Sequence, residues 1–184
     1  MSEPVLKEQD AVQPYGLPPS AAPELVRDVE RFLHYEAQLL DNYDLLTWLK
    51  LITQDIDYRM PIRTTVDDMN LGLSFSGRAF HMIEDYGSLK ARMERLVSGS
   101  AWSEKPPSRV RRHISNIRVA PENSEKLEVR SNLMFFWARE DQQFILSGER
   151  CDMMRVAEGR LYLAQRVVLL DHDTIPIPNL SVIL

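Results

Sequence analysis

Two hydrophobic periods divide the chain, a helical one in its first half and a strand-like one in its second half. Apolar residues recur every three or four positions over 23–41, which predicts a helix with one buried face. Pro23 suits the first turn, because a proline there loses no hydrogen bond. A shorter helix is predicted over about 44–52 and another over about 86–98, which Asp85 can cap. The apolar face of the first helix comprises Leu25, Val29, Phe32, Leu33, Ala37 and Leu40.

A period of two predicts strands in the rest of the chain. Alternating apolar residues indicate a strand over about 55–62, which Pro61 places near a sheet edge or a strand end. Residues 63–84 show no clear period and are expected to form a long loop that ends in a short strand. Four long strands with short polar turns are expected over 109–120, 127–139, 143–157 and 160–171. The order predicts an α+β domain in which about three helices pack into the concave side of a strongly curved, mostly antiparallel sheet, as a cone.

The strand over 127–139 has two faces of different character. Leu127, Val129 and Leu133 share the face of Phe135, which we therefore assign to the core. The opposite face begins polar and then becomes apolar, so we assign Phe136 on that face to a contact with another subunit. The apolar residues late on this second face are Met134, Phe136 and Ala138.

The first 22 residues differ in composition from the rest. Four prolines in this stretch favour extended chain, so residues 1–22 are predicted to be an extended or flexible arm and 23–184 a single domain. Tyr15 and Leu17 could anchor the arm on a partner. Trp102, in the loop before the last four strands, is a further candidate contact.

Composition narrows the possible functions. The 184 residues are 44% hydrophobic and 27% charged, which suits one folded domain. The net charge of −5 argues against a nucleic-acid partner. No apolar stretch is long enough to span a membrane and no secretory signal is visible, so a cytoplasmic location is expected.

The cysteine and histidine inventory bears on metal chemistry. Cys151 is the single cysteine, fits a reducing compartment, and is expected to be an inert buried thiol. A Rieske cluster needs two cysteines and two histidines, so this chain cannot ligate one by itself. The four histidines are widely spaced and form no short metal-binding motif.

Two groups of polar residues in the predicted sheet could carry function. Arg109, Arg111 and His113 share one strand face by parity, with Ile117 and Val119 further along it. They could be a solvated or ion-paired strand end, a basic patch that meets acidic groups of another subunit, or, for His113, a catalytic base.

The second group is Arg150 and Asp152, which also share a strand face. The pair could be satisfied inside the cone or across an interface. It could also contribute Asp152 as the acid–base partner of His113.

Several segments, in their order and spacing, resemble the small (beta) subunit of bacterial aromatic-ring-hydroxylating dioxygenases, which has the cone-shaped fold of nuclear transport factor 2 and scytalone dehydratase. The resemblance covers about residue 20 to the end. Its most recognisable segment is 106–117. The other segments that carry it are 31–41, Trp48, 56–62, 90–96, 166–171 and 179–184.

This resemblance implies a structural and assembly subunit with no catalytic, cofactor-binding or metal-binding residues of its own. In the family, three small subunits pack with three large alpha subunits, and the alpha subunit holds the Rieske 2Fe-2S cluster and mononuclear Fe(II). Electrons come from NAD(P)H through a reductase and usually a ferredoxin, and O2 is added to an aromatic ring to give a cis-dihydrodiol. Candidate interface residues are Tyr15, Leu17, Trp102, Arg109, Arg111 and Phe136.

Two alternatives from other classes remain open on the sequence. One is a free-standing dehydratase or isomerase with the same fold, using His113 and Asp152 for proton transfer. The other is a small-ligand-binding protein with the same two residues in its cavity. The resemblance places the choice of aromatic substrate mainly in the large subunit.

Overall fold

The computed structural model describes residues 20–64, 75–98, 107–120, 126–176 and 182–184. Within these residues it has three α-helices, one short 3-10 helix and six strands. The elements are α1 (Pro23–Asp41), α2 (Leu45–Trp48), the 3-10 helix (Leu49–Leu51), β1 (Ile52–Arg63), β2 (Phe75–Glu84), α3 (Tyr86–Val97), β3 (Arg109–Val119), β4 (Lys126–Arg139), β5 (Gln142–Ala157) and β6 (Arg160–Leu170).

The six strands form one sheet in the order β2-β1-β6-β5-β4-β3. All neighbours are antiparallel except β1 and β6, which run parallel. The helices bury their apolar residues against one face of this sheet, together with the last residues of the chain, 182–184. The predicted α+β class and the predicted meander of four long strands are confirmed.

Helices α1 and α3 begin where the sequence predicts. Pro23 lies in the first turn of α1, and Asp41 ends the helix. At α3, a carboxylate oxygen of Asp85 accepts a hydrogen bond from the Ser88 backbone N–H at 2.8 Å. The Ser88 hydroxyl in turn accepts from the Asp85 N–H at 2.9 Å, so the two residues satisfy each other's free groups.

The segment from α2 to β2 departs from the sequence prediction. The second helix stops at Trp48, and β1 already begins at Ile52. Strand β1 is interior, and Pro61 lies where its register with β2 shifts, two residues before the strand ends. The edge strand β2 has ten residues and is longer than expected. Only Met82 is buried in β2, so the sequence carries no alternating pattern there.

A β-bulge in β3 overturns the predicted face of Ile117 and Val119, which assumed that alternate residues of a strand share one face. Ser115 pairs with Asn132 and Arg118 with Arg130, so three steps on β3 match two on β4. Asn116 has a φ of 49°, a left-handed conformation that asparagine tolerates better than most residues. The extra residue turns Ile117 and Val119 toward the core, whereas the prediction placed them on the face of Arg109, Arg111 and His113.

Strand β4 has the predicted two faces. Phe135 is fully buried in the core with the rest of its row, which confirms its assignment. Met134 on the other face is 51% exposed, while Phe136 is partly exposed and Ala138 is buried. An apolar outward face therefore exists at this end of the strand, as the sequence indicates.

The N-terminal end of the described chain lies along the free edge of β3. The Ala21 N–H donates to the Val119 carbonyl at 3.2 Å, and the Ser20 hydroxyl donates to the same oxygen at 3.3 Å. Tyr15, Leu17 and Trp102 lie outside the described residues, so their contacts and the division into arm and domain remain predictions. In the described part of the chain, none of the helices has the length and apolar character needed to cross a membrane.

Candidate functional site

A buried ionic cluster lies between α1 and the inner face of the sheet. Glu36 projects from the buried side of α1, and both its oxygens accept from Arg166 of β6, at 2.7 Å from Nη1 and 2.9 Å from Nη2. Arg150 of β5 donates to Glu36 through Nη1 at 3.3 Å. The indole N–H of Trp48 donates to Glu36 at 3.1 Å. Helix α1 is thus fixed to two strands through one carboxylate.

Asp152 completes this cluster from β5. Arg166 donates to both oxygens of Asp152, from Nε and from Nη2, each at 2.8 Å. Arg150 also donates through Nε to the Ser131 hydroxyl of β4 at 3.3 Å. We call Glu36, Arg150, Asp152 and Arg166 the interior quartet. With two carboxylates and two guanidinium groups it carries no net charge, which is how buried charges are tolerated.

The environment fixes the charge of the Glu36 carboxylate. Burial by itself would raise its pKa, but the charges of Arg166 and Arg150 and the hydrogen bonds from Arg166 and Trp48 lower the pKa to about 2. Burial lowers the pKa of Arg150 to about 10, and the nearby charge of Arg166 adds to that effect, so Arg150 stays protonated at neutral pH. The pKa of Arg166 is raised, because Asp152 and Glu36 outweigh its burial.

These properties do not suit acid–base catalysis. A general acid or base works best with a pKa near the operating pH. Glu36 stays ionised at neutral pH, and both oxygens of Glu36 and of Asp152 already accept hydrogen bonds from arginine. The quartet is therefore a structural group that joins α1 to the sheet.

The proposed pairing of His113 with Asp152 is wrong. His113 is exposed on the outer face of β3, opposite Met134 of β4. Asp152 is buried on the inner face of β5, opposite Val129. The sheet and the intervening strand β4 separate the two side chains, so no acid–base pair forms. Inside the domain, both oxygens of Asp152 accept hydrogen bonds from Arg166, and Arg150 donates through Nε and Nη1. The buried Nη2 of Arg150 has no hydrogen-bond partner among the described residues.

A second buried cluster ties the chain's last residues to α1 and β3. The Arg112 Nη1 donates to Asp41 at 2.5 Å, and the Arg112 backbone N–H donates to the same carboxylate at 3.1 Å. The Nε and Nη2 of Arg112 both donate to the Ile183 carbonyl, and its guanidinium lies 5.0 Å from the centre of the Phe135 ring. Burial lowers the pKa of Arg112 despite the opposing charge of Asp41.

Tyr58 holds the last residue of this segment. Its hydroxyl donates to the Leu184 carbonyl at 2.9 Å and accepts from the Leu184 N–H at 3.2 Å. Burial raises the pKa of Tyr58 to about 12, so the hydroxyl stays protonated and can act as the donor.

Three predicted interface residues lie together on the outside of the molecule. Arg109 and Arg111 alternate with buried residues at the start of β3, and Arg111 is paired directly with Phe136 of β4. They line an open depression of about 510 Å³, which we call the outer cradle. Its other lining residues include Asp41 and Tyr43. The sheet register thus brings Arg109, Arg111 and Phe136 to one surface.

The sequence analysis missed several residues of the two buried clusters. Glu36 lies one turn from Leu33 and from Leu40 in the apolar stripe of α1, so a charge within that stripe was the available signal. Likewise, Arg166 in β6 and Arg112 in β3 are charged residues at buried positions of their strands. Cys151, expected to be buried, is half-buried on the outer face, and burial raises the pKa of its thiol.

Comparisons with known proteins agree on one family. A family model described as the ring hydroxylating beta subunit matches residues 35–177. The benzene 1,2-dioxygenase subunit beta of Pseudomonas putida is 36% identical over 170 residues, which cover 89% of this chain and 91% of that protein. The biphenyl 2,3-dioxygenase subunit beta of Rhodococcus jostii is 34% identical with the same coverage.

Solved structures show the same fold. A chain of naphthalene 1,2-dioxygenase with indole bound in the active site is similar with a TM-score of 0.76 and 25% identity, over 89% of this chain and 87% of that chain. A Novosphingobium aromaticivorans protein assigned as a scytalone dehydratase has a TM-score of 0.58 at 15% identity, over 81% of this chain and 85% of that chain. That second likeness concerns the fold alone.

Proposed function

This chain belongs to the family of ring hydroxylating beta subunits, and on that basis we propose that it is the non-catalytic small subunit of an aromatic-ring-hydroxylating dioxygenase. The observation that carries the proposal is the family match over residues 35–177, which runs from within α1 beyond the end of β6. That span includes all four residues of the interior quartet. Within the quartet, Glu36 accepts hydrogen bonds from Arg150 and Arg166, and Asp152 accepts from Arg166.

The iron groups of such an enzyme do not fit the residues of this chain. A Rieske cluster takes two cysteine and two histidine ligands, and Cys151 is the single cysteine. Among the described residues, no three histidine, cysteine or acidic side chains are grouped as metal ligands. In our proposal the Rieske 2Fe-2S cluster and the mononuclear Fe(II) both belong to the large subunit.

The proposed complex contains three large and three small subunits. Electrons reach the large subunit from NAD(P)H through a reductase and usually a ferredoxin, and the complex converts an aromatic ring to a cis-dihydrodiol. Relatives are named for benzene, chlorobenzene and biphenyl. Another relative is named for 3-phenylpropionate and cinnamic acid. These names support an aromatic hydrocarbon or an aromatic acid as the substrate class, and we propose that the small subunit contributes to assembly of the complex.

Purification of this chain alone and together with its large subunit tests the proposal. We expect the chain alone to be colourless and to contain no stoichiometric iron, because it lacks the ligands. The co-expressed complex should contain iron and absorb visible light, and mass spectrometry should identify the coloured partner as a Rieske-type large subunit. Iron near one atom per chain in the isolated small subunit would contradict the proposal, as would failure of the two subunits to associate.

A further inference from the structure

Two of the buried arginines use one edge of the guanidinium group in full. In arginine, the Nε–H and one N–H of Nη2 point in parallel from the same edge, so together they can hold one or two acceptor atoms. At Arg166 this edge donates to both oxygens of Asp152, each at 2.8 Å. At Arg112 both donors of the edge bond to the Ile183 carbonyl.

Arg150 uses only half of the same edge. Its Nε donates to the Ser131 hydroxyl at 3.3 Å, whereas the adjacent Nη2 has no hydrogen-bond partner among the described residues. Arg150 is 0% exposed, so bulk solvent does not reach Nη2. Buried donors in folded proteins are nearly always paired with an acceptor. An acceptor that is not one of the described residues is therefore expected beside Ser131.

Ser131 offers a second donor to the same position. It is fully buried on β4, directly opposite Arg150 of β5. Its hydroxyl accepts from Arg150 and makes no other hydrogen bond within the described part of the chain, so the hydroxyl hydrogen is available. Asp152, two residues further on the same face of β5, can accept in turn. Its oxygens take two hydrogen bonds from Arg166, and a carboxylate has about four lone pairs.

The charges of the interior favour a neutral ligand at this position. The interior quartet carries no net charge, and the buried pair of Arg112 and Asp41 adds one charge of each sign. An anion beside Ser131 would leave one uncompensated negative charge in a region that excludes solvent, which is unfavourable. Water is neutral, and it can accept two hydrogen bonds and donate two.

We propose that one water molecule is bound inside the domain, where it accepts from Arg150 Nη2 and from the Ser131 hydroxyl and donates to Asp152. Internal waters typically make about three hydrogen bonds to buried polar groups. This water completes the bonding of the Arg150 edge and links β4 to β5 beneath the helices. The site lies within one chain, so it does not depend on the proposed function.

A crystal structure of the unaltered chain, alone or in its complex, tests the site directly. At a resolution that shows ordered water, we expect one density peak about 2.7–3.2 Å from both Arg150 Nη2 and Ser131 Oγ. A second crystal soaked in bromide distinguishes an anion from water, because bromide scatters anomalously. No anomalous peak is expected beside Ser131.

Two variants that differ only at Arg150 provide a matched comparison. Glu36→Gln keeps Arg150 and Ser131, so it should keep the water. Glu36→Gln/Arg150→Met removes the Nη2 donor and leaves Arg166 balanced by Asp152, so it should lose the water. Oxygen-17 relaxation dispersion counts long-lived internal waters in solution, and the double variant should have one fewer than the single variant. Thermal melting shows whether each variant is folded.

Four results would overturn the proposal. The first three are a protein atom paired with Arg150 Nη2, empty density beside Ser131, and a bromide peak at that position. The fourth is a water that stays beside Ser131 in the double variant, since Arg150 would then not be what binds it. If either variant fails to fold, the density in the unaltered chain decides.

Discussion

Replacing Glu36 by Gln tests whether the interior quartet stabilises the fold as a neutral group. The change keeps the size of the side chain but leaves Arg150 and Arg166 with one buried carboxylate, that of Asp152. It also puts an amide N–H₂ in reach of arginine donors that now bond to Glu36. Breaking a buried ion pair by removing one partner typically costs about 3–5 kcal/mol.

The pKa of Glu36 gives a second measure of the same effect. It falls from an ordinary value of 4.5 to about 2 in the folded protein, which at about 1.4 kcal/mol per pKa unit corresponds to about 3 kcal/mol. Between about pH 2 and pH 4.5, the Glu36 carboxyl is protonated in the unfolded chain and ionised in the folded protein. This contribution to stability is therefore complete above about pH 4.5 and is lost as the pH falls toward 2.

Urea unfolding of the small subunit, followed by circular dichroism, measures the effect. At pH 7, Glu36→Gln should lower the free energy of unfolding by about 3 kcal/mol, and the difference from the unaltered chain should narrow below pH 4.5. The control is Glu30→Gln on the same helix, where the side chain is only partly buried and the change should be small. A Glu36→Gln variant within about 1 kcal/mol of the unaltered chain, with the same pH dependence, would refute this account of the quartet.

Two further pairs of substitutions compare matched positions. Phe135→Ala should lower the free energy of unfolding by about 3–5 kcal/mol, because Phe135 is fully buried, whereas the partly exposed Phe136→Ala should cost much less. Denaturant unfolding measures both, and equal losses would contradict the assignment of the two faces. Gly148→Ala should destabilise by at least about 1–3 kcal/mol, since a Cβ there would lie 2.5 Å from the Leu169 carbonyl oxygen. A Cβ at Gly77 meets nothing within 4 Å, so Gly77→Ala should be close to neutral on thermal melting, and similar losses at both glycines would disprove the steric argument.

Local signals account for the parts of the fold that the sequence predicts well. The first helix could be placed from Pro23 and its apolar spacing, and the third from the cap residue Asp85, because both signals act within a few residues. The core position of Phe135 could be predicted because side chains alternate between the two faces of a strand and no bulge interrupts the pairing of β4 with β5. Parity failed at Ile117, since the inserted residue Asn116 shifts every later side chain to the other face and has no distinctive sequence signal.

Long-range contacts account for what the sequence could not show. Glu36 and Arg166 are 130 residues apart, and their pairing depends on α1 crossing the inner face of the sheet. The parallel pairing of β1 with β6 also joins the two ends of the domain. The grouping of Arg111 with Phe136 depends on the β3–β4 register, which became visible only in the structure. The contacts of this surface depend on another subunit, so sequence and monomer structure alone leave them as a prediction.

The mutual dependence of the quartet's charges constrains how this fold could be redesigned as a binding protein. A designer who wishes to open a ligand cavity in the interior faces a loss of stability at the first substitution, because replacing any one quartet residue leaves an unmatched buried charge. Replacement of all four residues by apolar ones avoids the unmatched charge, and well-packed apolar replacements of buried ion pairs are often neutral or stabilising. Libraries that vary Glu36, Arg150, Asp152 and Arg166 together should therefore yield folded variants that stepwise selection would discard.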